Sequence, residues 1–288
     1  MTESSSLNYL WNIWNQREFK IPHTQYTIKG FSIAALRSNF FIKELNIMFD
    51  AGLSANLSPD HIFVTHTHTD HCANLPYHLY TFNKEDNMKI YVPNGCEKKT
   101  NMLIQSVHTI NTDEEYNGMY DIVPVKPNEH IDIIIKGKQM RIEIIECDHT
   151  VPCVGYGLSE IKRKLKNEYL GMKGNEIVKL KNDNVDIYRN EIHHYFLYLG
   201  DTSCEILKNT EIYKYKTIMM ECTFIYDDDQ ENAIHKKHTH WNEIKDTVQN
   251  NPHIQFILYH FSGKYKKNEI DEFFTRNSYP NLYIWNSN

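Results

Sequence analysis

The stretch Thr65-His66-Thr67-His68-Thr69-Asp70-His71 packs three imidazoles and a carboxylate into seven positions. These are the side chains that bind borderline-soft divalent metals, zinc above all. In a chain of 288 residues with 16 histidines, His-x-His-x-Asp-His should arise by chance in roughly three of a thousand sequences. In extended backbone His66 and His68 point the same way and can grip one ion from one side. Asp70 and His71 belong to the turn that follows and point elsewhere, which suits a second ion close to the first. A polar loop of solvated histidines is the bland alternative, and the surrounding elements must decide between them.

Those elements are legible as apolar runs. Ile62-Phe63-Val64 reads as a buried strand and Pro76 breaks the chain soon after, so the motif sits on a strand-to-helix loop. Residues 25–28, 31–36 and 40–49 read as earlier strands, with Gly30 as punctuation and Asp50-Ala51-Gly52 as a turn. Residues 89–92 read as a strand, and 95–110 as a helix with apolar positions at 102, 103 and 107. Residues 131–135 and 140–145, joined through Lys136-Gly137-Lys138, form a predicted hairpin that ends in Glu146-Cys147-Asp148-His149. Further on, apolar runs at 195–199, 217–220 and 254–259 deliver Asp201, Glu221 and His260 in turn. An apolar strand that ends in an acid or histidine, three times over, is the signature of a sheet whose strand ends converge on one site. Short helices are expected at 241–248, preceded by His238-Thr239-His240, and at 269–274. Alternating strands and helices in each half hint at a duplicated architecture.

The composition, 41% hydrophobic and 24% charged, is that of a globular protein with ample core and no disorder. Residues 1–15 lack the basic start and apolar core of a signal peptide, and no stretch is long enough to span a membrane. The cysteines at 72, 96, 147, 153, 204 and 222 form no Cys-x-x-Cys pair and read as reduced thiols of a cytoplasmic protein. A net charge of −6 excludes a chain that is basic everywhere, so a nucleic-acid substrate needs local basic surface. Residues 159–186 offer it: Lys162, Arg163, Lys164, Lys166, Lys173, Lys179 and Lys181 outnumber the acids there. Gly171 and Gly174 argue against one continuous helix, and the segment reads as an arm inserted in a single domain, 1–288. A merely solvated charged face is the alternative.

Together these residues resemble the metallo-β-lactamase fold superfamily and, within it, the short-form ribonuclease Z family, which processes tRNA 3′ ends. The pieces that carry the likeness are Thr65 to His71, His149, the segment from Glu168 to Ile177, Gly200-Asp201-Thr202, Glu221-Cys222-Thr223-Phe224, His238-Thr239-His240 and His260-Phe261-Ser262-Gly263-Lys264-Tyr265. The likeness covers most of the chain and is nearest to the plant-type short forms. It implies an α/β fold, a four-layer αβ/βα sandwich of two mixed sheets flanked by helices. It also implies a homodimer in which one subunit's arm clamps precursor tRNA for the other's site, with no membrane involved.

Carried over by position, His66, His68 and His149 would hold one ion, Asp70, His71 and His260 a second, and Asp201 would bridge both. The ions would be two Zn2+ per chain, with Mn2+ or another divalent metal possible. Glu221 and His238 match the family's glutamate and histidine motifs, which makes His238 the general acid and Glu221 its orienter, while Asp70 would also relay the nucleophile's proton. His235 and His240 lie near enough in sequence to be confused with His238. Asp50 reads as a hydrogen-bond acceptor behind the ligands. Lys162, Arg163, Lys164, Lys166, Lys173 and Lys264 would meet RNA phosphates, Lys264 standing where many relatives carry arginine.

The expected activity is therefore zinc-dependent removal of the 3′ trailer from precursor tRNA. A hydrolase of a small ester, thioester, lactone or β-lactam on the same scaffold is the alternative, because fold does not fix substrate. A non-catalytic RNA-binding relative is the other.

Overall fold

Apolar runs that end in acids and histidines fold as buried strands, and the sheets they build explain why those ends meet. In this computed structural model, residues 17–54, 57–80 and 87–287 are described; the segment 1–15 lies outside them. Among these residues the strands form two seven-stranded sheets, each in chain order. The first comprises β1 (Glu18–Lys20), β2 (Thr27–Ile33), β3 (Arg37–Ile42), β4 (Ile47–Phe49), β5 (His61–Phe63), β6 (Met88–Pro93) and β7 (Tyr120–Val125). The second comprises β8 (His130–Ile135), β9 (Lys138–Cys147), β10 (Cys153–Leu165), β11 (Tyr188–Tyr198), β12 (Thr217–Glu221), β13 (Gln255–Tyr259) and β14 (Leu282–Ile284). Both follow one plan. The first four strands of each sheet pair antiparallel, and the last four pair parallel.

Parallel neighbours need crossovers, and helices supply them. α1 (Thr69–Cys72) and α2 (Leu75–Tyr80) join β5 to β6, and α3 (Glu97–Thr112) joins β6 to β7. α4 (Gly174–Asn182) lies in the arm between β10 and β11. In the second half α5 (Gln230–Lys236) and α6 (Trp241–Asn250) join β12 to β13, and α7 (Lys267–Arg276) joins β13 to β14. Aromatic residues of both sheets, among them Phe40, Phe63, Tyr156, Tyr198 and Trp285, fill the space between them. Separate apolar layers lie under the helices of each half, with Ile62, Leu75 and Ile104 in one and Met220, Trp241 and Phe274 in the other. The result is the four-layer αβ/βα sandwich of two mixed sheets.

The hairpin at 136–138 forms with Ile135 opposite Lys138, and Lys136 and Gly137 both take positive φ, as a two-residue mirror-image turn requires. Other readings need correction. Gly30 does not end a strand; it lies inside β2, where a Cβ would stand 2.3 Å from the Phe40 ring. Its bareness lets Phe40 pack on Tyr198, Tyr259 and Trp285. Residues 40–49 are two strands, turned at Asn46 with φ 53°. The helix at 97–112 buries Thr100 and Ile104, whereas Met102 is 57% exposed.

The arm begins as ribbon. β10 and β11 stay paired from Tyr156 opposite Tyr198 out to Leu165 opposite Tyr188, so the return strand starts earlier than residue 195. A 3-10 turn (Asn167–Tyr169) and α4 complete it, with Gly171 at φ +103° between them.

Candidate metal centre

The loop after β5 is held from behind. Ala51 N–H bonds to His71 O at 2.6 Å and Asn74 N–H to Ala51 O at 2.8 Å. A Cβ on Gly52 would fall 1.7 Å from Asp70 O, so only glycine lets this strap lie against the motif. Asp50 and His260 both sit in the left-handed region, at φ 57° and 64°. Backbone strain of that kind costs about 1 kcal/mol or more per residue and persists where the surroundings over-determine it.

Seven side chains from both halves meet at the strand ends. His66 Nε2 and His149 Nε2 lie 3.1 and 3.2 Å from His68 Nδ1. His260 Nε2 lies 3.3 Å from His71 Nε2 and 3.4 Å from Asp70 Oδ2. Between the two groups stands Asp201, with Oδ2 3.7 Å from His66 Nε2 and 3.6 Å from His260 Nε2, and Oδ1 3.5 Å from His71 Nε2.

Hydrogen bonds on the outer side of the rings fix what the inner side offers. Tyr198 OH and Thr65 Oγ1 both donate to Asp50. Because the Thr65 proton is spent there, its oxygen accepts from His66 Nδ1 at 3.0 Å. His71 Nδ1 donates to Asp50 Oδ2 at 2.8 Å, and His149 Nδ1 to the Lys237 carbonyl at 3.1 Å. Thr223 Oγ1 donates to Glu221 Oε2 and so accepts from His260 Nδ1 at 3.1 Å. As neutral rings, these four histidines all turn an Nε2 lone pair inward.

The facing Nε2 lone pairs of neutral His71 and His260, 3.3 Å apart, repel unless a proton or a metal ion lies between them. Ligands held ~2.0–2.1 Å from one ion at tetrahedral angles stand about 3.3 Å apart, so the spacing fits. Asp201 Oδ1 adds a second sign: it is buried and accepts no hydrogen bond, a state that costs energy unless something charged completes it. The donor set therefore fits divalent metal. Burial, with His71 next, holds His66 well below its ordinary pKa, and burial likewise lowers His68 and His149. Without a metal, protons take its place: burial would pull the His71 imidazolium down, but Asp201 and Asp50 hold it well above its ordinary range. The positive charge on the histidines outweighs burial and keeps Asp70 and Asp201 ionised.

Beside the cluster stands an acid–imidazole pair. Glu221, fully buried at the end of β12, accepts from Thr202 N–H at 3.1 Å, Thr223 N–H at 3.0 Å and His238 Nδ1 at 2.8 Å. His238 also lies 3.9 Å from Asp201 Oδ2, but its Nδ1 belongs to Glu221. Burial pulls the His238 imidazolium down, yet the Glu221 carboxylate and its hydrogen bond push it up to about 9. The neighbouring histidines are distinct: His240 accepts from Asn242 N–H to cap α6 and bonds the Tyr226 carbonyl, while His235 is exposed.

The basic residues lie elsewhere. Lys162, Lys164 and Lys166 pair with Glu160, Glu191 and Asp186 at 3.6, 2.8 and 2.9 Å on the arm. Arg163 stacks over Tyr188 at 4.5 Å, and Lys173 stands at the N-cap position of α4, its N–H donating to Glu176 Oε2 at 2.7 Å. β10 leaves the site at Cys153 and runs away from it, so at ~3.3 Å per residue Leu165 lies roughly 40 Å along the strand. Lys264 is nearer: it is bonded to Asp229 and lies over the rings of Phe224 and Tyr265, and Phe224 packs 6.3 Å from His238. The sequence reading missed Thr65, Thr223, Tyr198 and the Lys237 carbonyl, which orient the histidines.

With this geometry in place, relatives can be compared. A family model described as anti-Pycsar protein Apyc1 matches residues 42–169, which include the motif and His149 but stop short of Asp201. The chain is 29% identical over 257 residues to tRNase Z TRZ1 of Arabidopsis thaliana, covering 86% of this chain and 89% of that one. Among solved structures, the metallo-β-lactamase fold protein YhfI of Bacillus subtilis superposes with a TM-score of 0.58 at 11% identity, over 92% of this chain and 98% of that one. The short form of human tRNase Z superposes with a TM-score of 0.54 at 14% identity, over 89% and 94%. The chain thus has the metallo-β-lactamase fold and is, over most of its length, a relative of the ribonuclease Z proteins.

Proposed function

We propose that this protein is a metal-dependent endoribonuclease that removes the 3′ trailer from precursor tRNA. The observation that carries the reading is the convergence of inward imidazole lone pairs and an unsatisfied Asp201 oxygen beside the Glu221–His238 pair. His66, His68 and His149 would hold one zinc ion, Asp70, His71 and His260 a second, and Asp201 would serve both. When bound, two such ions activate water near neutral pH and stabilise charge on the phosphodiester oxygens.

The chain's own residues supply the proton traffic. His238 carries its proton at neutral pH and donates it to the departing ribose 3′ oxygen, while Glu221 holds the ring in place. Asp70 takes the proton of the attacking water. The tRNA leaves with a 3′ hydroxyl and the trailer with a 5′ phosphate.

The arm supports a homodimer. Its cations leave their own metal centre along β10, so Lys162, Arg163, Lys164, Lys166 and Lys173 would grip RNA lying in the site of a second copy, with Lys264 at the site itself. Their surface ion pairs are weak and yield readily to phosphate. The unpaired cysteines suit a reducing, cytoplasmic setting, and among the described residues no helix is long and apolar enough to cross a membrane.

Purified protein incubated with zinc and a tRNA bearing a 3′ trailer should make one cut at the junction, and His238→Ala should slow it at least ~100-fold. An uncut substrate, or a His238→Ala variant as fast as wild type, overturns the reading. Removal of residues 159–186 should abolish this cut; a deletion that cuts tRNA normally removes the arm's role.

A further inference from the structure

Lys237 touches both halves of the chemistry. It closes α5 in the left-handed conformation, at φ 54°. That turn aims its carbonyl at His149 Nδ1, 3.1 Å away. Its ammonium reaches Asp148 Oδ1 at 2.6 Å, the carboxylate next in sequence to His149. The residue that follows Lys237 is His238 itself.

The contacts close into a ring. Asp148 N–H donates to Thr202 Oγ1 at 3.0 Å, and Ser203 Oγ donates to Asp148 Oδ2 at 2.7 Å. Thr202 N–H donates in turn to Glu221 Oε1, the same oxygen that receives His238 Nδ1. The circuit His149, Lys237, His238, Glu221, Thr202, Asp148 therefore returns to its start, with the His149 and His238 ring centres 5.1 Å apart. Glycine would take the turn at 237 without strain, but it could not reach Asp148.

We infer that Lys237 is a positioning residue: its carbonyl and its ammonium lock the loop of His149 to the loop of His238, so that metal ligand and proton donor hold one fixed separation. The inference rests on the roles proposed above for those two histidines. It does not rest on stability, because Lys237 and Asp148 are 44% and 42% exposed in their side chains and such pairs add little to folding. Loss of the lock should act on zinc affinity and on kcat together, leaving KM alone.

The test uses full-length Lys237→Gly, Lys237→Val, Lys237→Arg and Asp148→Asn. Zinc affinity is read by competition with a chromophoric chelator, turnover on trailer-bearing tRNA, and folding by thermal unfolding. Valine, which disfavours the left-handed turn, should weaken one of the zinc equivalents ~10-fold or more and lower kcat by a similar factor. Glycine and Asp148→Asn, which keep the turn and lose only the ion pair, should each cost ~3- to 10-fold in kcat, and arginine should restore most of it. Zinc affinity and kcat within twofold of wild type in the valine, glycine and asparagine variants would overturn the proposal. So would a change confined to KM, which marks Lys237 as an RNA contact. Should wild type cut no tRNA, the nuclease reading falls and the zinc titration alone decides the lock. Should Lys237→Val fail to fold, Asp148→Asn and Lys237→Gly carry the test.

Discussion

β4 and β11 hold the same place in their two sheets, each the strand where antiparallel pairing gives way to parallel. Each hands over to a buried aspartate, Asp50 in the first half and Asp201 in the second. Asp50 is saturated. It receives Thr65 N–H at 2.8 Å, Thr65 Oγ1 at 2.9 Å, His71 Nδ1 at 2.8 Å and Tyr198 OH at 2.8 Å. Asp201 has an oxygen with no hydrogen bond, and imidazole nitrogens stand 3.5 to 3.7 Å from its carboxylate. One carboxylate is a brace and the other an opening; the difference lies in what surrounds it, because residue type and burial are alike.

The largest effect should come from the open carboxylate. Asp201→Ala should lower kcat/KM for trailer removal at least ~1000-fold and cut the metal bound per chain. The metal-free variant should unfold at or above the wild-type temperature, because a buried carboxylate without full compensation is gone. A metal-free midpoint that falls as far as that of Asp50→Ala erases the distinction. Asp50→Ala should itself cost about 3 kcal/mol in denaturant titration, since it strands buried donors on Thr65, His71 and Tyr198. It should also weaken metal binding ~10- to 100-fold through a misoriented His71.

A third prediction concerns the carboxylate at the end of β12. With His238 raised to about 9, its proton is present at neutral pH and lost as pH rises through that value. Activity should therefore fall on the alkaline side near that pH. Glu221→Gln removes the charge that raises the imidazolium, so kcat should drop ~10- to 100-fold and its alkaline limb should move down by about a unit or more. An unmoved limb would show that another group sets it.

The smallest effect lies at the base of the arm. Burial alone would raise the Glu143 carboxyl, but hydrogen bonds from His194, Tyr215 and Lys214 bring it down to about 2. The folded pKa is below the unfolded one, so this contribution is complete above about pH 4.5 and fades as pH falls toward 2. Glu143→Gln should cost about 1–2 kcal/mol at neutral pH, allowing for the solvent that still reaches the group. Its stability should also decline less steeply than that of wild type between those pH values. Equal slopes in acid denaturation would remove Glu143 as the source.

The sequence revealed residues whose side chains advertise chemistry. His66 to His71 stood out by density, and Asp201, Glu221 and His260 each follow an apolar run that reads as a buried strand. Thr65, Thr223 and the Lys237 carbonyl stayed hidden, because a hydroxyl or a backbone oxygen looks the same in a loop as behind a metal ligand. Gly30 misled for a related reason: a glycine that ends a strand and a glycine that makes room for Phe40 are written with one letter. Edge strands such as β1 and β14 are three residues long and only partly buried, too short to show a period.

The proposed ligands are divided between the halves, with His66, His68, Asp70 and His71 in one and His149, Asp201 and His260 in the other. Neither half alone can hold a complete ion, so each ion would act as a clasp across the seam. His260 comes last of the seven in sequence. A growing polypeptide would therefore lack the second proposed triad until His260 has been added, and the proposed centre would close only when the later half packs on the earlier one.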